Sequence, residues 1–492
     1  MLIWGITMNY KKSFLALCII LFSLSVLGVS ANDLNEDIAA PEDSDILEYQ
    51  DEDILSDDDN GTFTSLQQII DSSKENSTIT LDKDYAYDDG FDTRGIKINQ
   101  NNLTIDGNGH TIDGLSKSRI FLVKYGLVLP NQVTLKNIKF VNGNTPLYGG
   151  AIFNYGDLTV ENCQFTNNYA KYCGGAINSV GNLECKNSKF DNNVANGDGG
   201  AIFTFSLRGT IANIIDTMID SEMNGNMDFL TDLVNDDILV YEKEYISNCV
   251  FKNNVAKGRG GGAIYAFGHI DINKCTFTSN KAGEKGGAVF ANKNLFISNS
   301  KFTSNNAAIY GGAVYFRCHD QGGHYENKKW VSSIRYYSNS IKNSVFTKNA
   351  ASKGGAIYGF RLVDTDKVHC TKAVSCIFEA NKAKQGRDIY GGTASKCEFK
   401  YLKLTLKTVK VKKTAKKLVL TAKLTKGKQL IKGKKIAFKF NGKTYKAKTN
   451  KKGIAKITIK KNVLKKLKVG KKVKYQAKYG KLLVKKVAKV KK

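Results

Sequence analysis

The chain has 492 residues, enough for several domains, and a formal net charge of +29. The charge is uneven, because 35 of the 74 basic residues are lysines within 401–492, a region without Asp or Glu. The remaining 39 basic residues stand against 45 acidic ones. A mildly acidic body therefore precedes a basic C-terminal region. The lack of long apolar runs beyond the N-terminus excludes a multi-span membrane protein.

The N-terminus has the pattern of a secretory signal peptide over residues 1–31. A basic start after Met8 is followed by an apolar core and by small residues that end at Ala31, the spacing of a signal-peptidase site. An uncleaved anchor is the alternative, since the core reaches about the minimum length of a membrane span. Residues 32–59 contain 13 Asp or Glu and no Lys or Arg, which predicts a disordered acidic linker. We expect a mature protein that is secreted to the cell surface or cell wall and has no transmembrane span.

From residue 60 the sequence changes to strands and turns. The segment "FTSLQQIIDSS" predicts a short amphipathic helix, and strand patterns follow it. Two landmarks then recur with a common spacing of about 25 residues, which is typical of a stacked solenoid. One is a Gly-Gly pair, which begins at Gly149, Gly174, Gly199, Gly261, Gly286, Gly311 and Gly354.

The second landmark is a phenylalanine, and the unit around it predicts one rung of a parallel β-helix with three short strands and three turns. Rungs would stack at about 4.8 Å. The rings would stack through the core as a structural ladder of Phe165, Phe190, Phe251, Phe277, Phe302, Phe346 and Phe378. Three residues later an asparagine would sit at a turn in left-handed backbone and bond the same amide one rung away: Asn168, Asn193, Asn254, Asn280 and Asn305.

Five cysteines lie two residues before a phenylalanine of the repeat: Cys163, Cys249, Cys275, Cys376 and Cys397. Other units have Ser188, Ser300 or Ser344 at that position. Exchange between Cys and Ser predicts a small buried packing site rather than a disulfide framework. None of the cysteine spacings is typical of a zinc site.

Three expansions interrupt the period, near residues 206–247, 317–340 and 361–370. The first has apolar residues at helical spacing from Ile211 to Ile219 and predicts a short helical flap on the side of the rod. The second is rich in aromatic residues, which could stack on sugar rings or fill a pocket of a partner. The alternative is that these rings pin the loop to the rod. The candidate partner-binding residues are His319, His324, Tyr325, Trp330, Tyr336 and Tyr337.

The sequence contains one cluster of possible metal ligands and three glycosylation sequons. Cys318, His319, Asp320 and His324 include zinc-ligand types, but their spacing matches no familiar site, so a solvated loop is favoured and no metal or cofactor is predicted. Sequons predict candidate glycosylation at Asn60, Asn76 and Asn102.

Residues 401–492 alternate between apolar residues and lysine, and "FNGKTY" predicts a hairpin with an Asn-Gly turn. Several short strands with regular turns favour an immunoglobulin-like β-sandwich. Its charge favours an anionic cell-wall polymer as partner. Nucleic acid is not expected, because lysine without arginine lacks bidentate base readout.

These motifs resemble those of known surface proteins. "GGAI" followed by Phe-x-x-Asn is similar to the repeat of chlamydial polymorphic outer-membrane proteins, and it resembles even more the adhesin-like surface proteins of methanogenic archaea. "DGNGHTIDG" and the Lys-rich C-terminal module are also similar to that second group. The resemblance covers 60–400 well and 401–492 more loosely. It implies an all-β fold with a right-handed parallel β-helix of the pectate-lyase type, displayed at the cell surface.

The function predicted from these features is cell adhesion rather than catalysis. β-Helices also host polysaccharide lyases and hydrolases, and a hydrolase needs paired carboxylates on one face. The acidic residues at strand positions form no cluster that adjacent rungs repeat: Asp157, Glu161, Glu184 and Asp271. No catalytic residue is therefore assigned, and a carbohydrate-active enzyme is the alternative. The rod would bind a glycan or protein on another cell surface, and 401–492 would attach to the anionic cell envelope.

Overall fold

The computed structural model describes residues 61–124, 130–205, 243–326, 329–360 and 371–492. These residues form the all-β parallel β-helix that the 25-residue period predicts, followed by a C-terminal domain of two smaller sheets. The predicted signal peptide, acidic linker and helical flap lie outside the described residues, as do Asn60 and the expansion at 361–370. Within the described ranges, no helix is long and apolar enough to cross a membrane.

One helix, α1, covers the core beside the first strands and spans Phe63–Ser72. The Thr62 hydroxyl accepts a hydrogen bond from the Ser65 backbone N–H, and the Ser65 side chain accepts one from the Thr62 N–H, which forms a capping box. The buried residues Phe63, Leu66 and Ile70 recur at helical spacing. The predicted amphipathic helix is confirmed.

Each rung contributes one strand to each of three long parallel sheets. Sheet 1 has 12 strands, which are Gly61–Thr62, Tyr85–Ala86, Thr111–Asp113, Lys139–Val141, Gln164–Thr166, Lys189–Asp191, Val250–Lys252, Thr276–Thr278, Lys301–Thr303, Val345–Thr347, Ile377–Glu379 and Glu398–Phe399. Sheet 2 has 11 strands, which are Thr78–Thr80, Leu103–Asp106, Gln132–Lys136, Asp157–Glu161, Leu183–Lys186, Lys243–Ser247, His269–Asn273, Leu295–Ser298, Asn339–Lys342, Thr371–Val374 and Thr393–Ser395.

Sheet 3 has 10 strands, which are Ile96–Ile98, Phe121–Val123, Ile152–Asn154, Ile177–Ser179, Ile202–Thr204, Ile264–Ala266, Val289–Ala291, Val314–Arg317, Ile357–Phe360 and Ile389–Tyr390. A short sheet 4 lines the turn between sheets 1 and 3 with six strands, which are Asn144–Thr145, Tyr169–Ala170, Val194–Ala195, Val255–Ala256, Lys281–Ala282 and Asn306–Ala307. The chain thus runs through sheets 3, 2, 1 and 4 in turn before it enters the next rung. The right-handed coil stays a prediction.

The glycine pair of the repeat stands just before seven of the ten sheet 3 strands, and its two members are needed for different reasons. Gly149 has a φ of +63°, and a Cβ there would lie 2.1 Å from the Ile152 carbonyl oxygen. At Gly150 a Cβ would lie 2.3 Å from the Gly175 carbonyl oxygen of the next rung. The first glycine therefore permits the turn, and the second permits the close approach of two rungs.

The predicted phenylalanine ladder is confirmed. Neighbouring rings from Phe140 to Phe399 stack in sheet 1 with centroids 4.6–5.2 Å apart and interplanar angles of 1–14°. The rings between Phe140 and Phe378 are fully buried, whereas Phe399 at the end of the stack is 37% exposed. Stacked aromatic pairs of this kind stabilise a core by about 0.5–1.5 kcal/mol beyond the burial of their area.

The predicted asparagine ladder is confirmed in its hydrogen bonds but wrong in its backbone conformation. The Asn168 side-chain amide donates to Asn193 Oδ1 at 2.9 Å, and the same bond links each successive pair up to Asn381. The left-handed residue is the one before it, for example Asn167 with a φ of +57°. The exposed residue makes the turn, which leaves the buried asparagine free to bond along the stack.

The exchange of Cys and Ser has a physical basis in a third ladder. Apart from the partly exposed Cys397, these side chains are buried beside the phenylalanines, and each bonds to the backbone of its neighbours. Ser188 Oγ accepts from the Cys163 N–H at 3.1 Å and donates to the Lys186 carbonyl at 2.8 Å. Cys275 Sγ accepts from the Cys249 N–H at 3.5 Å and donates to the Asn273 carbonyl at 3.3 Å. A thiol and a hydroxyl can both fill this position, which confirms the predicted packing site.

Two predicted expansions are shorter than their sequence boundaries. Lys243–Ser247 was assigned to the first expansion, but it is a sheet 2 strand that pairs with His269–Asn273. Arg317 ends a sheet 3 strand and Asn339 begins a sheet 2 strand, so the second expansion is confined to 318–338. Both errors arose because these strands lie outside the glycine and phenylalanine landmarks that set the boundaries.

The C-terminal domain has two sheets. Sheet 5 contains Leu402–Leu406, Lys417–Lys426, Gln429–Leu430 and Ile454–Lys460, and sheet 6 contains Val411–Lys412, Leu482–Lys491, Lys472–Tyr479, Lys435–Phe440 and Lys443–Lys448. A short helix, α2, spans Lys461–Lys465. The two sheets share a core that includes Leu420, Phe438 and Tyr475, and the predicted turn at Asn441 and Gly442 is present, with a positive φ at both residues. The immunoglobulin-like classification stays a prediction.

Candidate functional site

The expansions of the repeat all leave the coil at one place, which we call the insertion corner. It is the turn from a sheet 3 strand to the following sheet 2 strand. In unexpanded rungs this turn is short, as between Asn154 and Asp157. Residues 206–242 follow the rung of Thr204, the segment 318–338 follows Arg317, and residues 361–370 follow Phe360. The corner is thus the place where this rod varies while its sheets stay regular.

The expansion after Arg317 contains an antiparallel hairpin of His319–Glu326 and Lys329–Tyr336. Its register pairs His319 with Tyr336 and Tyr325 with Trp330. Because directly opposite residues share one face of an antiparallel pair, these four candidate residues occupy one face of the hairpin. His324 pairs with Val331 and belongs to the other face.

Tyr337 does not belong with the other candidates, because it is 8% exposed and packs at the base of the hairpin. Its backbone N–H donates to the Cys318 carbonyl at 2.8 Å. Its hydroxyl accepts a hydrogen bond from Lys293 Nζ at 2.8 Å, and this ammonium group lies 5.2 Å from the centre of the ring. Tyr337 therefore anchors the hairpin to the rod, which was the alternative weighed for the whole loop.

A polar cluster of the insertion corner supports this anchor. Lys293 is 3% exposed and Asn292 is 4% exposed. Asn292 Nδ2 donates to the Tyr265 hydroxyl at 2.9 Å, and burial raises the pKa of Tyr265 above its ordinary value. These hydrogen bonds tie the buried groups of the corner to the rod and to the base of the hairpin.

A second set of stacked aromatic rings runs along the outer side of sheet 3, and we call it the aromatic strip. Its rings are 4.4–5.5 Å apart, and its members are Phe203, Tyr265, Phe290, Tyr315, Tyr358 and Tyr390. Most of them are shielded from solvent, but Tyr390 at the end is 38% exposed. The sequence indicates this strip, because an aromatic residue follows the Ile or Val after most Gly-Gly-Ala motifs. The predictions from the sequence did not include it.

The outer side of sheet 2 brings two acidic residues into one column. Glu184 pairs with Tyr245, and Tyr245 pairs with Asp271 on the next rung. The backbones of the two acidic residues therefore stand two rung spacings apart, about 9.5 Å, and inverting glycosidases hold their two carboxyl groups about 6.5–9.5 Å apart. Asp157 and Glu161 lie elsewhere on this side of the rod, and Glu161 forms an ion pair with Lys186 at 3.4 Å. The spacing in the sequence does not predict this column, because the expansion at 206–242 separates Glu184 from Asp271.

The repeat has a counterpart among known protein families. Five segments match the Chlamydia polymorphic membrane protein repeat: residues 162–180, 187–204, 248–266, 274–292 and 343–359. Together they cover less than a fifth of the chain. No curated protein and no solved structure matches the chain.

The matched segments coincide with the regular half of the rung. Each runs from near the turn before sheet 1, through the phenylalanine and the asparagine, to a sheet 3 strand. They reach the insertion corner only with their last residues, Val180 and Asn292, and none of them includes an expansion. The repeats and the parallel β-helix fit a surface adhesin-like protein, and the hairpin lies outside the matched segments.

The metal interpretation gains no support at the hairpin. Cys318 is disulfide-bonded, so its sulfur is not available as a thiolate ligand. In the described part of the chain, no three His, Cys, Asp or Glu residues come together as metal ligands.

The two described sequons are neighbours on successive rungs. Asn76 and Asn102 are both exposed and both have a positive φ. Asn102 Nδ2, the atom that would carry a glycan, donates to Asn76 Oδ1 at 2.8 Å. A glycan at Asn102 would take the place of one of the two Nδ2 hydrogens, and glycosylation at either residue stays a prediction.

Proposed function

We propose that the chain is a secreted surface protein of the adhesin-like kind, which binds a glycan or a protein of another cell without turning it over. In this proposal the β-helix is the display scaffold and the lysine-rich domain attaches to the anionic cell envelope. The observation that carries the proposal is that the expansions share the insertion corner. A regular rod that varies at one corner can change its recognition loops without disturbing the ladders that stabilise it.

Three further features support display outside the cell. The matched family repeat is that of membrane proteins of Chlamydia, and the N-terminus has the pattern of a signal peptide. The disulfide at Cys318 is expected of an exported chain, because disulfides persist in oxidising compartments. The archaeal origin suggested by the resemblance is part of this proposal and has no separate support.

The hairpin is the proposed contact with the partner. Three of its residues on one face are aromatic, namely Tyr325, Trp330 and Tyr336. Aromatic side chains dominate interfaces because they bury a large area at a low cost in conformational entropy. Tyr337 is excluded from the contact because it is buried against Lys293.

The hairpin can be tested with the full chain on a panel of immobilised glycans and cell-surface proteins. Tyr325→Ala combined with Tyr336→Ala should abolish binding to the partner found and leave the melting temperature unchanged. Trp330 is the only Trp after residue 31, so its fluorescence should change on binding in the unmodified protein. Tyr390→Ala is the control, because this 38% exposed ring lies outside the hairpin. Equal binding by the double variant and the control would contradict the proposed contact.

The second candidate function is a carbohydrate-active enzyme, and the column of Glu184, Tyr245 and Asp271 is the observation that favours it. An exposed aromatic residue between two carboxyl groups could seat a sugar, and Tyr245 is 49% exposed. Release of reducing ends or unsaturated products from acidic polysaccharides would reveal such an activity. Loss of that release in both Glu184→Gln and Asp271→Asn would replace the binding proposal with the enzyme.

A further inference from the structure

The lysines of the C-terminal domain are distributed unequally between the outer sides of its two sheets. On sheet 6, exposed lysines alternate with buried core residues, as in Lys472, Val473, Lys474 and Tyr475. We call the outer side of sheet 6 the lysine face. It contains eleven exposed lysines, namely Lys412, Lys435, Lys439, Lys446, Lys448, Lys472, Lys474, Lys478, Lys485, Lys489 and Lys491.

The strand register brings these charges next to one another. Lys472 is directly opposite Lys489, Lys435 is opposite Lys448, and Lys412 is opposite Lys491. Opposed like charges destabilise a sheet, and residues 401–492 contain no acidic residue that could neutralise them. The repulsion would be relieved by a polyanion bound across the strands.

Two exposed apolar residues lie among these lysines. Leu483 is 44% exposed and pairs with Lys478, and Val487 is 51% exposed and pairs with Lys474. Strands stand about 4.8 Å apart and alternate residues about 6.8 Å apart along a strand. An extended polymer on this flat face would therefore meet several ammonium groups and an apolar contact at once.

Sheet 5 differs in the pattern of its outer side. Three of the five lysines on its outer side are opposite threonine or an apolar residue, namely Lys403, Lys423 and Lys456. One like-charge pair occurs there in the register, Lys417 opposite Lys460. Both sheets are basic, but opposed lysines are concentrated on sheet 6.

We propose that the lysine face is the surface through which the domain binds the envelope, and that its partner is an anionic polysaccharide. This inference rests on the proposed attachment function and assigns that function to one side of the domain. Lysine supplies compact hydrated charges on flexible stems, which suit anionic groups spaced along a polymer. The apolar Leu483 and Val487 favour a sugar polymer, whose rings present apolar surfaces beside their charges.

Two variants of the full chain with equal charge separate the lysine face from a general charge effect. The face variant carries Lys472→Gln, Lys474→Gln, Lys478→Gln, Lys485→Gln and Lys489→Gln. The control variant carries Lys403→Gln, Lys417→Gln, Lys423→Gln, Lys456→Gln and Lys460→Gln. All ten positions are exposed strand residues, so both variants should fold, and circular dichroism checks that they do.

Binding is measured against polygalacturonate at low and at physiological salt, with neutral dextran as the uncharged probe. We expect the face variant to lose about tenfold or more in affinity, because five individually weak ion pairs are removed together. The affinity of the control variant should change by about threefold or less. Added salt should strongly weaken the binding of polygalacturonate by the unmodified protein and should weaken binding by the face variant less, because salt screens exposed charges.

Each contrary result has a distinct meaning. Equal losses of affinity in the two variants would contradict the assignment of binding to the lysine face and would leave the proposed attachment function intact. No binding of polygalacturonate by the unmodified protein at low salt would overturn both. Tighter binding to duplex DNA or to phosphatidylserine vesicles than to polygalacturonate would overturn the assignment to a polysaccharide.

Discussion

Asn254 and Asn280 are 26 residues apart in the chain, yet the side-chain amide of Asn254 donates to Asn280 Oδ1 at 3.0 Å. Asn280 Oδ1 also accepts from the Asn254 backbone N–H at 3.0 Å, and Asn280 Nδ2 donates to the Phe251 carbonyl. Both residues are fully buried. Each amide of the ladder therefore satisfies backbone and side-chain groups of other rungs, in a position where water cannot replace it.

Asn280→Ala should lower the free energy of unfolding by about 3 kcal/mol or more, because three buried groups lose a hydrogen bond. It leaves the two Asn254 donors and the Phe251 carbonyl without partners, and an unmade buried hydrogen bond costs about 1–3 kcal/mol per group. Lys281→Ala is the matched control, since the next residue is exposed and should change stability by about 0.5 kcal/mol or less. Chemical denaturation measures both. Equal stability of the two variants would mean that the ladder does not hold the rungs together.

Phe277→Ala should cost about 3–5 kcal/mol, as truncations of buried phenylalanine do. The ring is fully buried and stacks on Phe251 at 4.9 Å and on Phe302 at 4.7 Å. The variant removes both stacking contacts and leaves a cavity in the middle of the rod. Thr276→Ala on the same strand is the control, because Thr276 is partly exposed. A thermal melt that does not distinguish the two variants would contradict the stacked core.

The cysteine and serine ladder predicts which thiols react. Cys163 is fully buried, and burial raises its pKa to about 12, so little thiolate forms at pH 8. Cys397, at the end of the rod, is partly exposed and should be alkylated before Cys163, as mass spectrometry of the native protein can show.

The same ladder predicts which substitution of Cys163 is tolerated. Cys163→Ser should keep the bond to the Glu161 carbonyl, which Sγ makes at 3.3 Å, and should cost about 1 kcal/mol or less. Cys163→Val should cost more, because it has no donor for that carbonyl. Rapid native alkylation of Cys163, or a Val variant as stable as the Ser variant, would contradict this account.

The sequence predicted the parts of the fold that recur. Phe165 and Asn168 repeat at a fixed period, and side chains with a fixed period must stack once the rungs do. The left-handed position was misplaced from Asn167 to Asn168 because two asparagines stand together and composition does not show which one is buried. Features that occur once could not be predicted in this way, since a period carries no information about a single rung.

In the candidate site, too, the features that occur only once were not predicted from the sequence. Tyr337 was grouped with the other aromatic residues of the second expansion because its partner, Lys293, lies 44 residues earlier and has no motif of its own. The column of Glu184 and Asp271 was missed because residues 206–242 lie between the two acids in sequence. Both contacts depend on the register of rungs across an expansion, which the sequence alone does not fix.

Glu244 is a carboxyl group inside the rod, at a position where other rungs have Leu158, Ile270 or Leu295. It is 1% exposed, and neither of its carboxyl oxygens has a hydrogen-bond partner in the described part of the chain. Burial raises its pKa from 4.5 to about 8, and the nearby Thr204 opposes this shift only in part. The folded protein therefore holds the neutral acid at neutral pH.

The pH dependence of stability follows from this shift. Between about pH 4.5 and 8 the folded state keeps a proton that the unfolded chain releases, so stability falls as pH rises, by up to about 1.4 kcal/mol per pH unit. The contribution of Glu244 to stability is fully present below about pH 4.5, because the carboxyl group is then protonated in both the folded and the unfolded chain. Glu244→Gln should remove the dependence and raise the melting temperature at pH 8. Glu184→Gln, at an exposed position of the preceding sheet 2 strand, should leave the dependence unchanged. If Glu244→Gln and the unmodified protein show the same melting profile from pH 5 to 8, the carboxyl group is not buried as a neutral acid.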